Sequence, residues 1–328
     1  MTKQSADAAI DAAVAALAAG EAIGLPTETV YGLAADAANR DAVARIYRIK
    51  GRPVDHPLIV HVLDDARARL WAEWTDPAQR LADAFWPGPL SIVLKRRADA
   101  PAWACAGQSS IALRAPSHPV ARRLMTALAD AGITGLAAPS ANRFGRVSPT
   151  SAAHVRADLG DDVAIVLDGG AAEVGIESTI VDLSRGRPVL LRPGHIGPDL
   201  LGRALGELVA AADIEAPRVP GTLPSHYAPV TPLALVAWVD LPARIAAERA
   251  AGKRVAVWSI APIASAAQDD GVRWYRRPAS VGAMEQTLYG ALREIDSSGV
   301  DLIAVEAPPM SAQWAAIMDR LVRAATRP

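Results

Sequence analysis

Pro217, Pro220, Pro224, Pro229 and Pro232 crowd residues 216–232, APRVPGTLPSHYAPVTP, and no other stretch restricts the fold as much. Each proline lacks a backbone donor and disfavours helix at the residue before it, so the segment can neither continue a helix nor join a ladder. It reads as an extended, semi-rigid linker that divides the 328-residue chain. A chain of that length exceeds most single cores, and a hydrophobic content of 51% belongs to folded, globular proteins. Three parts are expected: a catalytic domain over 1–210, a linker or lid over 211–232, and an α/β domain over 233–328.

Before the linker, helical and strand periodicities alternate. Helices are predicted over 8–19, 41–48, 76–85 and 119–131, and strands over 22–25, 58–62, 90–94, 111–114, 164–167, 178–183 and 189–192. That pattern predicts an α/β fold with an open, twisted, mixed sheet holding more strands than a simple doubly wound sheet needs. After the linker, strands over 233–238, 255–260 and 302–306 alternate with helical runs, as in a small βαβ, Rossmann-like domain.

Charge narrows the partners. Lys and Arg total 34 against 35 Asp and Glu, so any grip on phosphate or nucleic acid rests on local arginine clusters. The single cysteine, Cys105, permits neither an internal disulfide nor a cysteine-built zinc site. Asp7 and Asp11 interrupt the apolar start of the chain where a signal peptide would be continuous, and a cytoplasmic protein is expected.

Four stretches carry chemistry. LPTETVYGLAAD (25–36) follows a short apolar strand with Thr27, Thr29 and Tyr31 and then an alanine-rich, helix-compatible run, a corner that suits a small ligand or an ordinary N-cap. RIKGRPVDHPLIVHV (48–62) sets Lys50 and Arg52 around a glycine on a proline-held loop, as a polyphosphate site or a solvated pair would, and places His61 inside an apolar strand. AAPSANRFGRVSPTSAAHV (137–155) puts Ser140 and Asn142 just after a strand, with Arg143 and Arg146 on the same loop and Ser148 resembling an N-cap. Arg114 and Arg192 each end an apolar strand, forming either an anion-binding rim or lone ion pairs, and Ser178 and Thr179 begin another strand.

No GxxxxGK[ST], GxGxxG after a strand, HExxH or GxSxG occurs, and no nucleophile stands out. Lys, Arg, Ser, Thr and Asn without a covalent residue point to positioning and charge neutralisation, the chemistry of phosphoryl or nucleotidyl transfer with Mg²⁺.

The ordered set PTETVYGL, KGRP with PLIVHV, WPGPLSIVL, IALRAP, APSAN, GIESTIVD and LLRPG resembles the YrdC-type threonylcarbamoyl-AMP synthases over roughly residues 8–210, and the SHYAP linker with the second domain resembles their long form. The resemblance implies an open twisted sheet around a basic concave cavity. It implies a nucleotidyltransferase that condenses L-threonine, bicarbonate and ATP to threonylcarbamoyl-AMP and pyrophosphate for threonylcarbamoyladenosine in tRNA, with Mg²⁺ as cofactor. A downstream tRNA threonylcarbamoyl transferase complex is the implied partner, direct tRNA contact being optional. Residue by residue, Lys50, Arg52, Ser140, Asn142, Ser178 and Arg192 match the ATP-binding positions, with Lys50 and Arg52 catalytic. Thr29, Tyr31, His61, Arg114 and Thr179 match the threonine pocket, and Tyr227, with His226, would close over the nucleotide as a lid. The metal ligands are not implied. Two rivals stay open: carbamoyl-adenylate formation from carbamoyl phosphate, and a double-stranded-RNA-binding module using its basic face.

Overall fold

The structure, a computed structural model, describes residues 3–263 and 270–326. It divides into two compact units, Met1–Phe144 with Ser148–Thr222 and Gly145–Val147 with Leu223–Pro328.

The first unit runs α1 (Lys3–Ala18), β1 (Ile23–Leu25), β2 (Gly32–Asp36), α2 (Arg40–Lys50), β3 (Ile59–His61), α3 (Asp65–Ala68), α4 (Asp76–Phe85) and β4 (Leu90–Lys95). It continues through β5 (Ser110–Arg114), α5 (Pro119–Asp130), β6 (Leu136–Ala137), α6 (Ala152–Leu159), β7 (Thr179–Asp182), β8 (Val189–Arg192), α7 (Pro198–Leu205) and β9 (Ala210–Ala211). Its nine strands form one open sheet in the order β1-β2-β6-β3-β5-β4-β7-β8-β9. The pairs β3 with β5, β4 with β7 and β8 with β9 are parallel and the others antiparallel, so the sheet is mixed as expected.

Strand alternation sends neighbouring side chains to different cores. Leu33 and Ala35 of β2 pack with Val43 and Ile46 of α2, while Ala34 between them packs with Leu17 of α1 and Leu124 of α5. Farther along the sheet, Val60, Ile92 and Leu113 face the first of these cores. Their neighbours Ile59, Val93 and Ala112 face a third, where Val219 and Ala216 of the proline-rich segment pack. The Gln108 side chain brackets that segment, accepting from the Arg218 N–H at 2.9 Å and donating to the Arg218 carbonyl at 3.0 Å. A bare spacer would bury none of this.

Three local expectations change. Residues 32–36, read as helix-compatible, form β2, antiparallel to β1. Alanine is only weakly opposed to strand, and pairing on both edges of β2 overrides its helix propensity. Residues 164–167 form no named strand, only a bridge between Gly24 and Val166. Ser148 is not a helix cap: Ser151 caps α6, its hydroxyl accepting from the His154 N–H at 3.3 Å, and Ser148 is buried.

The second unit runs β10 (Leu233–Val236), α8 (Leu241–Ala250), β11 (Val255–Ser259), β12 (Val272–Arg276), α9 (Val281–Asp296), β13 (Leu302–Glu306) and α10 (Ala315–Ala325). Its strands are all parallel in the order β10-β13-β11-β12, the Rossmann-like arrangement expected, with β12 an exposed edge strand whose polar alternation hid it from sequence.

Candidate active site

Sheet direction gathers the strand-borne candidates. Because β3 and β5 are parallel, β4 is antiparallel to β5, β7 is parallel to β4 and β8 is antiparallel to β7, one end of the sheet collects the last residues of β3, β5 and β8 and the first of β7. Those residues are His61, Arg114, Arg192 and Thr179, with Ser178 just before β7. Residues scattered over 61–192 thus meet at one rim.

Local capping places the lysine and arginine of KGRP. Asn39 starts α2, its side chain accepting from the Asp41 and Ala42 N–H groups at 3.0 and 3.1 Å. Gly51 ends it in the left-handed region (φ 63°), and the Arg52 N–H donates back to the Tyr47 carbonyl at 3.0 Å. Lys50 therefore closes the helix while Arg52 leaves it. Lys50 Nζ donates to the Asn142 carbonyl at 2.6 Å and to the Ser140 carbonyl, and the Phe144 N–H returns a bond to the Lys50 carbonyl at 2.9 Å. The APSAN loop is thereby tied to the end of α2. Arg52 donates to the Pro57 carbonyl at 2.9 Å, and its guanidinium lies 5.5 Å from the Phe144 ring centre.

Lys50, Arg52, Arg114 and Arg192 expose 3, 7, 3 and 3% of their surface, so none is a solvated surface charge. Burial first, then the Arg52 charge, hold the Lys50 ammonium well below its usual pKa, with Asp158 opposing. The His61 imidazole is pushed down to about 3 by burial and by Arg114, its register partner across β3 and β5. It is a neutral ring at physiological pH, and its Nδ1 has no hydrogen-bond partner among the described residues.

The segment 27–31 joins the two groups. The Ala141 N–H donates to the Tyr31 carbonyl at 2.8 Å on one side, and Arg114 Nη1 donates to the Thr29 hydroxyl at 2.7 Å on the other. The threonines and tyrosine at this corner are thus fixed by hydrogen bonds where apolar side chains would have left buried donors unpaired.

Four of the hydroxyls have no proton to spare. Tyr31 donates to the Gly170 carbonyl at 2.7 Å and accepts from the Gly169 N–H at 3.1 Å, burial raising its pKa. Thr179 donates to the Ile196 carbonyl at 2.9 Å and accepts from the Ile196 N–H at 3.1 Å. Thr27 donates to the Val30 carbonyl at 2.6 Å, so Thr29, 2.9 Å away, must donate to Thr27. Toward a ligand, Thr29 and Thr179 can only accept.

At the far side, Arg192 wraps the Ser178 carbonyl with Nε at 3.1 Å and Nη2 at 2.9 Å, reaches the Ser178 hydroxyl at 3.1 Å and the Pro220 carbonyl at 2.9 Å. Ser178 also bonds Ser91 at 2.8 Å. Tyr227 belongs to the second unit. There its buried ring stacks on Tyr289 at 5.7 Å, the Arg320 guanidinium lies 5.3 Å from its centre, and its backbone is left-handed (φ 61°).

Sequence reasoning passed over Glu28 and Glu177. Glu28 Oε1 lies 2.7 Å from Arg114 Nη2 and Oε2 accepts from the Ser117 N–H at 3.1 Å; Glu177 accepts from the Ser148 hydroxyl at 2.6 Å. A signal existed for Glu28, the only charged side chain between Glu21 and Asp36. Both carboxylates are engaged, and among the described residues no group of three His, Cys, Asp or Glu side chains is suited to a metal.

A family model described as "Telomere recombination", covering the Sua5, YciO and YrdC proteins, matches residues 15–194, and one described as "Threonylcarbamoyl-AMP synthase, C-terminal domain" matches 196–326. The threonylcarbamoyl-AMP synthase of Bacillus subtilis is 39% identical, over 97% of this chain and 93% of its own, and that of Pyrococcus abyssi is 36% identical, over 93% and 90%. The crystal structure of P. abyssi Sua5 complexed with L-threonine superposes with a TM-score of 0.88 at 34% identity, covering 96% of this chain and 94% of that one. Matched along both units by models, sequences and a solved structure, this chain belongs to the threonylcarbamoyl-AMP synthase family in its two-domain form.

Proposed function

We propose that this enzyme condenses L-threonine, bicarbonate and ATP into threonylcarbamoyl-AMP, releasing pyrophosphate, and supplies the adenylate used to make threonylcarbamoyladenosine in tRNA. The observation that carries the reading is the buried Lys50, donating to the Ser140 and Asn142 carbonyls and tied through Tyr31 and Thr29 to the Arg114 rim. A cation group and a polar rim joined by one hydrogen-bonded segment suit a reaction that brings an amino acid to a nucleotide phosphate.

In this reading Lys50, Arg52, Ser140, Asn142, Ser178 and Arg192 hold the nucleotide, and Thr29, Tyr31, His61, Arg114 and Thr179 enclose threonine. The threonine amine and bicarbonate give a carbamate and water. A carbamate oxygen then attacks the α-phosphorus, the bond to the β,γ-phosphates breaks, and pyrophosphate leaves. Lys50 and Arg52 neutralise the charge growing on that leaving group. Neutral His61 fills the rim without adding charge. Magnesium comes in with the ATP phosphates rather than on protein carboxylates, and no step above depends on it. Tyr227 is the proposed lid residue, tested through the ATP KM of Tyr227→Phe. A cytosolic setting with reduced Cys105, and hand-over of the adenylate to a separate tRNA threonylcarbamoyl transferase complex, complete the proposal; no helix among the described residues is long and apolar enough to cross a membrane.

Pyrophosphate release from ATP, followed with L-threonine, L-serine, carbamoyl phosphate or no addition, with and without bicarbonate, tests the reaction. Release that needs both threonine and bicarbonate is expected. Release that ignores threonine rejects it, and turnover of carbamoyl phosphate instead assigns the carbamoyl reaction.

A further inference from the structure

Glu28 is buried beside a guanidinium whose three nitrogens have separate tasks. Arg114 Nη2 is 2.7 Å from Glu28 Oε1, Nε donates to the Gly88 carbonyl at 3.3 Å, and Nη1 donates to the Thr29 hydroxyl at 2.7 Å. The second Glu28 oxygen is pinned by the Ser117 N–H at 3.1 Å, so the carboxylate is held from β5's exit and holds β5's last residue in turn. A buried guanidinium needs this charge beside it, and its orientation follows from where the charge sits.

The orientation matters one bond further on. Thr29 gives its proton to Thr27, whose own proton is committed to the Val30 carbonyl, and it accepts from Arg114. One lone pair remains, and no proton. Were Arg114 to turn away, the Thr29 hydroxyl would lose the donor that occupies one of its two lone pairs, and the remaining acceptor direction would no longer be fixed.

We propose that Glu28 is a positioning residue for substrate selection: through Arg114 it locks the Thr29 hydroxyl as an acceptor, so the pocket favours an amino acid whose side chain donates a hydroxyl proton. The inference rests on threonine being the substrate. An analogue without the hydroxyl leaves the Thr29 lone pair buried and unmatched, the situation in which polar sites discriminate most strongly. Glu28→Gln keeps the size but removes the charge and presents an amide that can turn its N–H₂ toward Arg114.

The test compares kcat/KM for pyrophosphate release with L-threonine and with L-2-aminobutyrate, which lacks only the hydroxyl, in the full chain. Glu28→Gln is expected to lower this selectivity at least tenfold while the KM for ATP stays within twofold. Thr29→Val is expected to do the same, and the double variant to lose no more than Thr29→Val alone. Unchanged selectivity in Glu28→Gln, or losses from the two changes that multiply, would overturn the proposal. Should Glu28→Gln fail to fold by circular dichroism, Glu28→Asp, which withdraws the carboxylate but keeps its charge, decides: selectivity equal to the unmodified enzyme's rejects the role, and a partial loss supports it. Absence of threonine-dependent release in the unmodified enzyme is a separate result, which removes the substrate reading and this inference with it.

Discussion

Lys50 owes its behaviour to burial more than to any neighbour. Its pKa is held well below the ordinary lysine value, and a triphosphate beside it would restore the preference for the charged form. Nucleotide binding is therefore expected to take up a proton, and affinity to weaken as pH rises through the depressed Lys50 pKa. Calorimetric titrations of ATP in buffers of different ionisation enthalpy measure that uptake, which Lys50→Ala should abolish along with about 100-fold of affinity. His61 makes the opposite test, on stability. With a folded pKa near 3 against an ordinary value of 6.5, the unfolded chain binds the extra proton between those limits. Stability from this group is complete above pH 6.5 and is lost as pH falls toward 3, by up to about 1.4 kcal/mol per pH unit. Denaturant titrations from pH 7 to 4 should show a shallower decline in His61→Gln than in the unmodified protein.

At the scale of elements, much of the chemistry depends on how strands begin and end. The glycine of LLRPG illustrates this. A Cβ on Gly194 would lie 2.5 Å from the Thr179 backbone nitrogen and 2.8 Å from its hydroxyl oxygen, so only glycine lets the turn after β8 close over the first residue of β7. Gly194→Ala is expected to destabilise the fold by roughly 1–3 kcal/mol, the usual range for overpacking, measured as a lowered denaturation midpoint. It should also raise the threonine KM, because Thr179 has to move. Such features were partly legible. The glycine of KGR was legible as a break, but Lys50, expected on the loop, is the last residue of α2, because the helix runs on until Gly51 takes the left-handed conformation that ends it. The PTET corner was misread as an entry to a helix because the partners that make β2 a strand, β1 and β6, cannot be judged from its own alanines.

Across the whole molecule, the chain passes between the two units at Phe144, at Ser148 and at Thr222. Gly145–Val147, continuing the APSAN loop, is bonded within the second unit: the Ala228 N–H donates to the Gly145 carbonyl at 2.9 Å, and the Arg293 guanidinium donates to the Val147 carbonyl. Truncation after Thr222 removes those partners while leaving the nine-stranded sheet and its cores whole. The shortened protein is expected to keep the far-UV dichroism of a mixed α/β fold and to lose at least tenfold in kcat/KM for ATP, read in the pyrophosphate assay.

By itself the sequence determined the alternation that makes a mixed α/β sheet followed by a parallel one, and the motifs that carry the family resemblance. These are legible because backbone restriction, side-chain periodicity and capping act between residues a few positions apart. Only the tertiary structure decided that the four motif cations are buried, that Glu28 faces Arg114, and that Thr29 and Thr179 have acceptors but no protons to offer. Those properties arise between residues as far as 92 positions apart, which meet only because sheet order brings them together. Solvent exclusion at that meeting point then fixes charge and hydrogen-bond direction, and neither is written in any one segment of the chain.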